Sequence, residues 1–114
     1  MYEYRAEVLR VVDGDTVDMM VDKGFRDYSE IRFRLTGINA PERYEDEGPD
    51  ATAYLKSLLP VGLTVLIRTG KADSFGRWVA RIKHLEADKT INELMVDAGH
   101  AVLYTNRYAA DPSW

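Results

Sequence analysis

Arg34, Glu42 and Arg77 are the residues of this sequence whose types and surroundings could carry out chemistry together. Two guanidinium groups can hold the oxygens of a phosphodiester bidentately, and they stay charged because arginine does not deprotonate in proteins. A glutamate can take a proton from an attacking water, which is typically responsible for about 10²–10⁴-fold of rate. The three residues favour phosphodiester hydrolysis, although a surface position is the competing interpretation of each residue taken alone.

Asp15 is a candidate metal ligand because it shares the alternation of Val17 and Met19, which should face the interior of a sheet. A carboxylate on a core-facing position is costly unless something positive meets it. A cation at the start of this strand is one interpretation, and a side-chain cap of the turn at Asp13 and Gly14 is the other. An EF-hand is excluded, since its loop needs glycine at the sixth position.

Three strands are predicted in the first third of the chain. Residues 8–12 form a short apolar run, and residues 15–22 alternate as a half-buried strand. The turn signal Asp13-Gly14 lies between them and therefore predicts a hairpin. The third strand covers residues 31–35, and its alternation places Arg34 away from the barrel core.

Two helices are predicted from the change in period. The first covers residues 51–59, where apolar residues recur at helical spacing between Pro49 and Pro60. The second begins at Thr90, an N-cap residue whose capping box is completed by Glu93. Trp78, His84 and His100 are interpreted as structural or surface residues.

The order of elements predicts the fold class. Buried strands are expected at residues 63–67 and 78–82, and a short extended segment at 101–104. Three strands, a helix, two strands and a helix indicate an α+β fold, a five-stranded OB-fold β-barrel with one helix between strands 3 and 4 and one after strand 5. Since no repeat or linker is visible, residues 1–114 should form a single domain.

Composition restricts the class of protein. The chain has 114 residues, a net charge of −4 and no cysteine, so disulfides and thiolate metal sites are excluded. The acidic balance disfavours a protein that simply coats a polyanion, but a cleavage site needs only a local positive pocket. No apolar run could cross a bilayer and no leader is evident, so we expect an intracellular protein, or a secreted one if a leader was removed.

Three segments taken together resemble the staphylococcal nuclease (thermonuclease) family. They match its patterns D-G-D-T, R-L-x-x-[V/I]-D-[T/A]-P-E and D-x-[Y/F]-G-R in order and at similar spacing. The resemblance covers residues 8–104, and its segments are Val12-Asp13-Gly14-Asp15-Thr16-Val17, Phe33-Arg34-Leu35-Thr36-Gly37-Ile38-Asn39-Ala40-Pro41-Glu42 and Asp73-Ser74-Phe75-Gly76-Arg77.

The resemblance implies a Ca²⁺-dependent nuclease that cuts DNA and RNA and leaves 3′-phosphate ends. Its metal ligands would be Asp15, Asn39 and the backbone carbonyl of Ala40, although most members carry aspartate where Asn39 stands. A neutral amide oxygen can still bind a hard cation, and another divalent ion would be an alternative. The resemblance assigns phosphate stabilisation to the two arginines, so the catalytic residues would be Arg34, Glu42 and Arg77. The glutamate would act as the general base, with orientation of the attacking water as the alternative.

Lys71, Phe75 and Tyr104 are the candidate substrate-binding residues. Lys71 would supply a positive charge, and Phe75 stands where members often carry tyrosine. Tyr104 lies near the tyrosines that stack the base in the family, with core packing as the alternative. The competing function is an inactive OB-type module that binds a nucleic acid or a protein. For the enzyme we expect a monomer with a short C-terminus and no membrane partner.

Overall fold

Five strands close into a barrel in the computed structural model, which describes residues 2–42, 45–70 and 77–103. The elements, in chain order, are β1 (Tyr2–Asp13), β2 (Thr16–Asp22), β3 (Tyr28–Leu35), β4 (Ile38–Asn39), α1 (Gly48–Leu58), β5 (Thr64–Thr69), β6 (Trp78–His84), α2 (Ile91–Asp97) and β7 (Val102–Leu103). The barrel follows the order β1-β2-β3-β6-β5, and β4 pairs with β7 beside it. The predicted α+β barrel with two helices is confirmed.

The hairpin between β1 and β2 is confirmed, with its loop shifted by one residue. Asp13 pairs with Thr16, so the two loop residues are Gly14 and Asp15 instead of Asp13 and Gly14. The Asp13 carboxylate accepts a hydrogen bond from the Asp15 backbone N–H at 3.3 Å. Asp13 therefore caps the turn in the manner of an Asx-turn, and the Asp15 carboxylate is directed elsewhere.

The alternating apolar side chains of β2 point into the barrel, and one polar residue of the opposite face is also buried. Val17, Met19 and Val21 are buried in the core, as predicted. Asp18 has the opposite parity and was expected on the solvent face, yet it is also buried. Burial is tolerated because Arg10 and Arg32 each donate to its carboxylate at 2.7 Å and cover it with their long side chains.

A buried asparagine joins α2 to the barrel. The side-chain amide of Asn92 donates to the backbone carbonyls of Thr36 at 2.8 Å and Ala80 at 3.2 Å, and its oxygen accepts from the Ile82 N–H at 3.1 Å. The predicted capping box of Thr90 is present at the start of the helix. These contacts fix the segment where β3 leaves the barrel, which leads directly into β4.

The remaining elements close the ends of the barrel. Helix α1 carries proline in its first turn, as predicted, and packs against β1. The His84 ring nitrogen Nε2 lies 2.7 Å from the Leu58 carbonyl, and His100 stacks on Tyr54 with ring centroids 4.8 Å apart, so both histidines are structural. Within the described ranges, no helix combines the length and the apolar character needed to cross a membrane.

Candidate active site

The buried carboxylate of Asp15 lies at the centre of the candidate site. Its residue is only 7% exposed, and its backbone carbonyl accepts the Leu35 N–H at 2.8 Å, which joins the hairpin loop to the end of β3. Oxygen Oδ2 accepts from the Ala40 backbone N–H at 3.0 Å, and Oδ1 accepts from the Thr16 hydroxyl at 3.2 Å. The hairpin loop thus meets the chain after β4 at this one side chain.

Arg34 connects Asp15 to the segment that follows β3. Its Nη2 lies 3.4 Å from Asp15 Oδ2 and also donates to the Asn39 side-chain oxygen. Its Nη1 donates to the Ile38 carbonyl at 3.3 Å. The Arg34 side chain is only 12% exposed, because the residues that accept these hydrogen bonds cover it on the outer face of the barrel. Three of the predicted site residues, Asp15, Arg34 and Asn39, therefore converge.

Gly14 allows this convergence. A Cβ atom at this buried position would lie 2.8 Å from the Cβ of Ala40 and 3.0 Å from the Cβ of Ala51 in α1. Real side-chain atoms do not approach so closely, so any larger residue would force the Ala40 segment or the helix away. The absence of a side chain brings Ala40, the predicted carbonyl ligand, against the hairpin loop.

Asp15, the candidate metal ligand, and Glu42, the candidate general base, both have a raised pKa. Burial raises the pKa of the Asp15 carboxyl, and the Ala40 N–H and the Arg34 guanidinium oppose the shift. Desolvation, followed by the nearby carboxylates of Asp13 and Asp15, raises the pKa of Glu42. Since Glu42 is exposed, solvent screens the effect of these charges.

Glu45, Asp46 and Glu47, an acidic loop that follows Glu42 in the chain, are exposed. Glu42 donates its backbone N–H to the Glu45 carboxylate at 3.1 Å, and the Glu45 N–H donates to the Glu42 carbonyl at 2.9 Å. These two bonds form a local turn. The turn holds the backbone of Glu42, and its carboxylate lies near Asp13 and Asp15.

The oxygen atoms at this site suit a hard divalent cation. The Asp15 carboxylate and the Asn39 amide oxygen accept from the same Arg34 nitrogen, and the Ala40 carbonyl follows Asn39 in the chain. Ca²⁺ prefers carboxylate, amide and backbone carbonyl oxygens. Within residues 2–42, 45–70 and 77–103, no three His, Asp or Glu side chains are grouped as a metal site. A cation here would therefore depend on the amide and carbonyl oxygens as well, with Arg34 as a neighbouring positive charge.

Arg77 lies near Arg34 where β3 and β6 pair in the barrel. Strand β3 runs parallel to β6, with Phe33 paired to Trp78 and Arg34 paired to Val79. Arg77 precedes β6, is exposed, and lines the same surface depression as Arg34. The depression has a volume of about 370 Å³ and is lined by Thr16, Glu30, Ile31, Arg32, Arg34, Arg77 and Trp78.

Trp78 is the residue near the site that the sequence interpretation missed. It is 50% exposed and lies in the depression shared by the two arginines. Its position directly after Arg77 was the available signal. The predicted substrate-binding residues Lys71, Phe75 and Tyr104 lie outside the described residues.

Comparisons with known proteins match most of the chain to one family. The model of the family described as staphylococcal nuclease homologue matches residues 32–113. An uncharacterized endonuclease of Escherichia coli O157:H7 is 34% identical over 110 residues, covering 96% of this chain and 67% of that protein. A micrococcal nuclease of Shigella flexneri is 31% identical over 118 residues, covering 97% of this chain and 63% of that protein.

A longer relative contains a similar segment. Endonuclease YhcR of Bacillus subtilis (strain 168) is 30% identical over 115 residues, which cover 90% of this chain and 9% of that protein. The chain spans about two thirds of the length of the first two relatives. With most of its length matched by the family model and a relative 34% identical over 96% of its length, the chain belongs to the family of staphylococcal nuclease homologues.

Proposed function

We propose that this chain is a nuclease that hydrolyses phosphodiester bonds of DNA and RNA with Ca²⁺ and leaves 3′-phosphate ends. The observation that carries the proposal is the contact of one Arg34 nitrogen with both Asp15 Oδ2 and Asn39 Oδ1. This contact places a permanent positive charge beside oxygens suited to a hard cation. An anionic phosphate would meet both kinds of positive charge at this end of the barrel.

Arg34 and Arg77 stabilise the transition state. Attack on the phosphodiester adds negative charge to the phosphoryl oxygens, and guanidinium groups hold such oxygens with charge-assisted hydrogen bonds. Both side chains line one depression, although Arg34 lies on β3 and Arg77 directly precedes β6. Asp15 holds Arg34 in place, so its charge is positioned before the substrate arrives.

Glu42 acts as the general base. Desolvation and the nearby carboxylates of Asp13 and Asp15 raise its pKa above that of an ordinary glutamate, which makes the ionised carboxylate a stronger base. It takes a proton from water, the water oxygen bonds to phosphorus, and the P–O5′ bond breaks. The 5′ oxygen leaves and gains a proton from solvent, so the phosphate stays on the 3′ side.

Asp15, Asn39 and the Ala40 carbonyl would hold the divalent cation. When bound, the cation would neutralise charge on a phosphoryl oxygen and favour deprotonation of water. Asn39 supplies one negative charge fewer than aspartate would, so we expect weaker Ca²⁺ binding than for a site with two carboxylates. Lys71, Phe75 and Tyr104 remain our predicted contacts to the rest of the substrate.

A digestion assay tests the proposal. Plasmid DNA, single-stranded DNA and RNA are incubated with Ca²⁺, Mg²⁺, Mn²⁺ or EDTA. We expect cleavage with Ca²⁺, none with EDTA, and 3′ ends that a polymerase extends only after phosphatase treatment. Glu42→Gln should reduce the rate by about 10²–10⁴-fold, whereas Glu47→Gln, at an exposed position in the same acidic loop, should not. Equal activity of the parent and Glu42→Gln would contradict the mechanism.

A binding module without catalysis is the second candidate function. The observation favouring it is that the Asn39 oxygen, needed for the cation, already accepts a hydrogen bond from Arg34. This candidate predicts that oligonucleotides bind but are not hydrolysed with any of the three cations. Hydrolysis that requires Glu42 would exclude it.

A further inference from the structure

The depression beside the paired strands β3 and β6 combines positive charge with an apolar wall. Arg34 and Arg77 supply the charge, while Trp78 and the partly buried Ile31 supply the apolar surface. Among the large apolar residues that are exposed in the described part of the chain, Trp78 lines the depression together with both arginines. Binding of a phosphate group alone does not require a half-exposed indole ring beside the site.

We propose that this depression is a nucleobase pocket in which Trp78 stacks on a base next to the phosphate held by Arg34 and Arg77. The proposal rests on the proposed nuclease function and names a further substrate-positioning residue for it. An aromatic side chain stacks on any base, because every base has a π-face. The volume of about 370 Å³ lies within the range of about 300–1,000 Å³ typical of small-ligand sites.

The rim of the depression is fixed by ion pairs. Arg32 donates two hydrogen bonds to the buried Asp18, at 2.7 and 3.1 Å. Glu30 accepts one from Arg10 at 2.8 Å. These contacts hold in place the β3 side chains of Glu30 and Arg32, which line the depression. Such preorganisation reduces the entropy lost when a ligand binds.

The position of Trp78 in the fold explains how it reaches the phosphate site. Trp78 pairs with Phe33 in the parallel contact between β6 and β3, and Arg34 is the next residue on β3. Arg77 directly precedes Trp78 in the chain. Trp78 and Arg34 belong to opposite faces of the sheet, but both line one depression with Arg77, so a base attached to a phosphate held by the arginines would reach the indole ring there.

Packing at the barrel end is the competing role for Trp78. The residue has the same parity as the buried Ala80 and Ile82, so part of its ring covers the end of the core. Packing alone predicts a loss of stability in variants, without a selective effect on binding of bases. A binding measurement that compares ligands with and without bases separates the two roles.

The first experiment measures tryptophan fluorescence in a Trp114→Phe background, which leaves Trp78 as the only indole. A short oligothymidylate and an abasic deoxyribose-phosphate chain of the same length are titrated in EDTA at low salt. We expect oligothymidylate to quench the fluorescence and the abasic chain to quench it much less. Quenching of equal size by both ligands, or by neither, would overturn the proposal.

The second experiment uses variants, with affinity for fluorescein-labelled oligothymidylate measured by anisotropy. Trp78→Leu should weaken binding about 5- to 150-fold, corresponding to the loss of one stacked base, and Trp78→Phe should retain most of the affinity. Tyr28→Leu is the matched control, because Tyr28 is an exposed aromatic residue that lines a different depression. An unchanged affinity of Trp78→Leu, or an equal loss for the abasic chain, would overturn the pocket.

Kinetics with Ca²⁺ distinguish failure of the pocket from failure of the nuclease proposal. If Trp78→Leu raises KM and Trp78→Phe restores it, the pocket is supported. If the parent cleaves DNA and Trp78→Leu has the parent KM, the pocket is wrong and the nuclease proposal stands. If the parent cleaves nothing but oligothymidylate still quenches Trp78, the nuclease proposal is wrong and the base pocket stands.

Discussion

Arg34 donates a hydrogen bond to the side-chain oxygen of Asn39, five positions along the chain. The same nitrogen lies 3.4 Å from the buried carboxylate of Asp15. One guanidinium group therefore faces one carboxylate and one neutral amide. The local charge of this trio is balanced, because the single positive charge of Arg34 faces the single carboxylate of Asp15.

Asn39→Asp should tighten Ca²⁺ binding and lower the Ca²⁺ concentration needed for half-maximal activity. The substitution adds an anionic ligand, and the affinity of Ca²⁺ sites depends on the number of charged ligands. Without metal, the new carboxylate would repel Asp15, but Arg34 lies between them and should offset part of the cost. Calorimetric titration and thermal melts with and without Ca²⁺ measure both effects.

The stability gained on adding saturating Ca²⁺ should be larger for Asn39→Asp than for the parent, because ligand binding stabilises the folded state. Asn39→Ala serves as the control that removes the oxygen altogether and should weaken binding further. If neither the parent nor Asn39→Asp binds Ca²⁺, the metal site is wrong. The binding-module function would then be favoured.

Arg34→Ala and Arg77→Ala should each reduce turnover by about 10²-fold or more, which is the usual effect of removing a transition-state donor. Their effects on folding should differ. Arg34 is mostly buried against Asp15, so its loss should also cost about 1–3 kcal/mol of stability. Arg77 is exposed, so Arg77→Ala should lose less stability than Arg34→Ala.

Turnover measured beside urea denaturation separates catalysis from folding in these two variants. Arg5→Ala, at an exposed position on β1 that lines a different depression, is the matched control and should retain parent activity. Parent-like turnover in either Arg34→Ala or Arg77→Ala would show that the arginine in question has no role in the reaction.

Gly14→Ala should damage both stability and the cation site. The added Cβ would lie 2.8 Å from the Cβ of Ala40, and relief of such a clash typically costs about 1–3 kcal/mol. Movement of Ala40 would also displace a proposed ligand, so Ca²⁺ affinity should fall. Gly62→Ala is the control: it has open space but a positive φ of 89°, so it should lose stability while keeping the Ca²⁺ affinity of the parent.

Asp18 should make stability depend on pH in the acidic range. Hydrogen bonds from Arg32, and also from Arg10, lower the pKa of Asp18 below its ordinary value of 3.8. A carboxyl with a depressed pKa in the folded state stabilises the fold above its unfolded pKa, and this contribution is lost as pH falls through the folded pKa. The destabilisation by Asp18→Asn should therefore be constant near neutral pH and shrink below about pH 4.

Urea denaturation of the parent and Asp18→Asn across this pH range measures the difference. At neutral pH we expect it to be about 1–2 kcal/mol, reduced by solvent because both arginines are more than half exposed. Asp97→Asn, which alters an exposed ion pair with Lys89, should show little change. A difference that stays constant down to low pH would mean that Asp18 is not held by its charge.

Local signals in the sequence were sufficient for the secondary structure. The alternation from Val17 to Val21, the proline-bounded helix and the capping box of Thr90 all appear in the structure. Each depends on residues within a few positions of one another, because strand parity and helix caps are set by local backbone geometry. The exceptions are that β1 begins at Tyr2 instead of residue 8 and that β4 was not predicted. The hairpin loop was also shifted by a residue, since Asp13 both pairs in the ladder and caps the turn.

The sequence by itself determined the barrel, its two helices and the family to which the chain belongs. Only the tertiary structure decided that Arg34 contacts Asn39, that Asp18 is buried between Arg10 and Arg32, and that Trp78 lies beside Arg34. The physical reason is that each of these contacts depends on how a loop folds back or on which strands become neighbours. A period-two pattern specifies which face of a strand is buried, but it contains no information about the partner strand or loop.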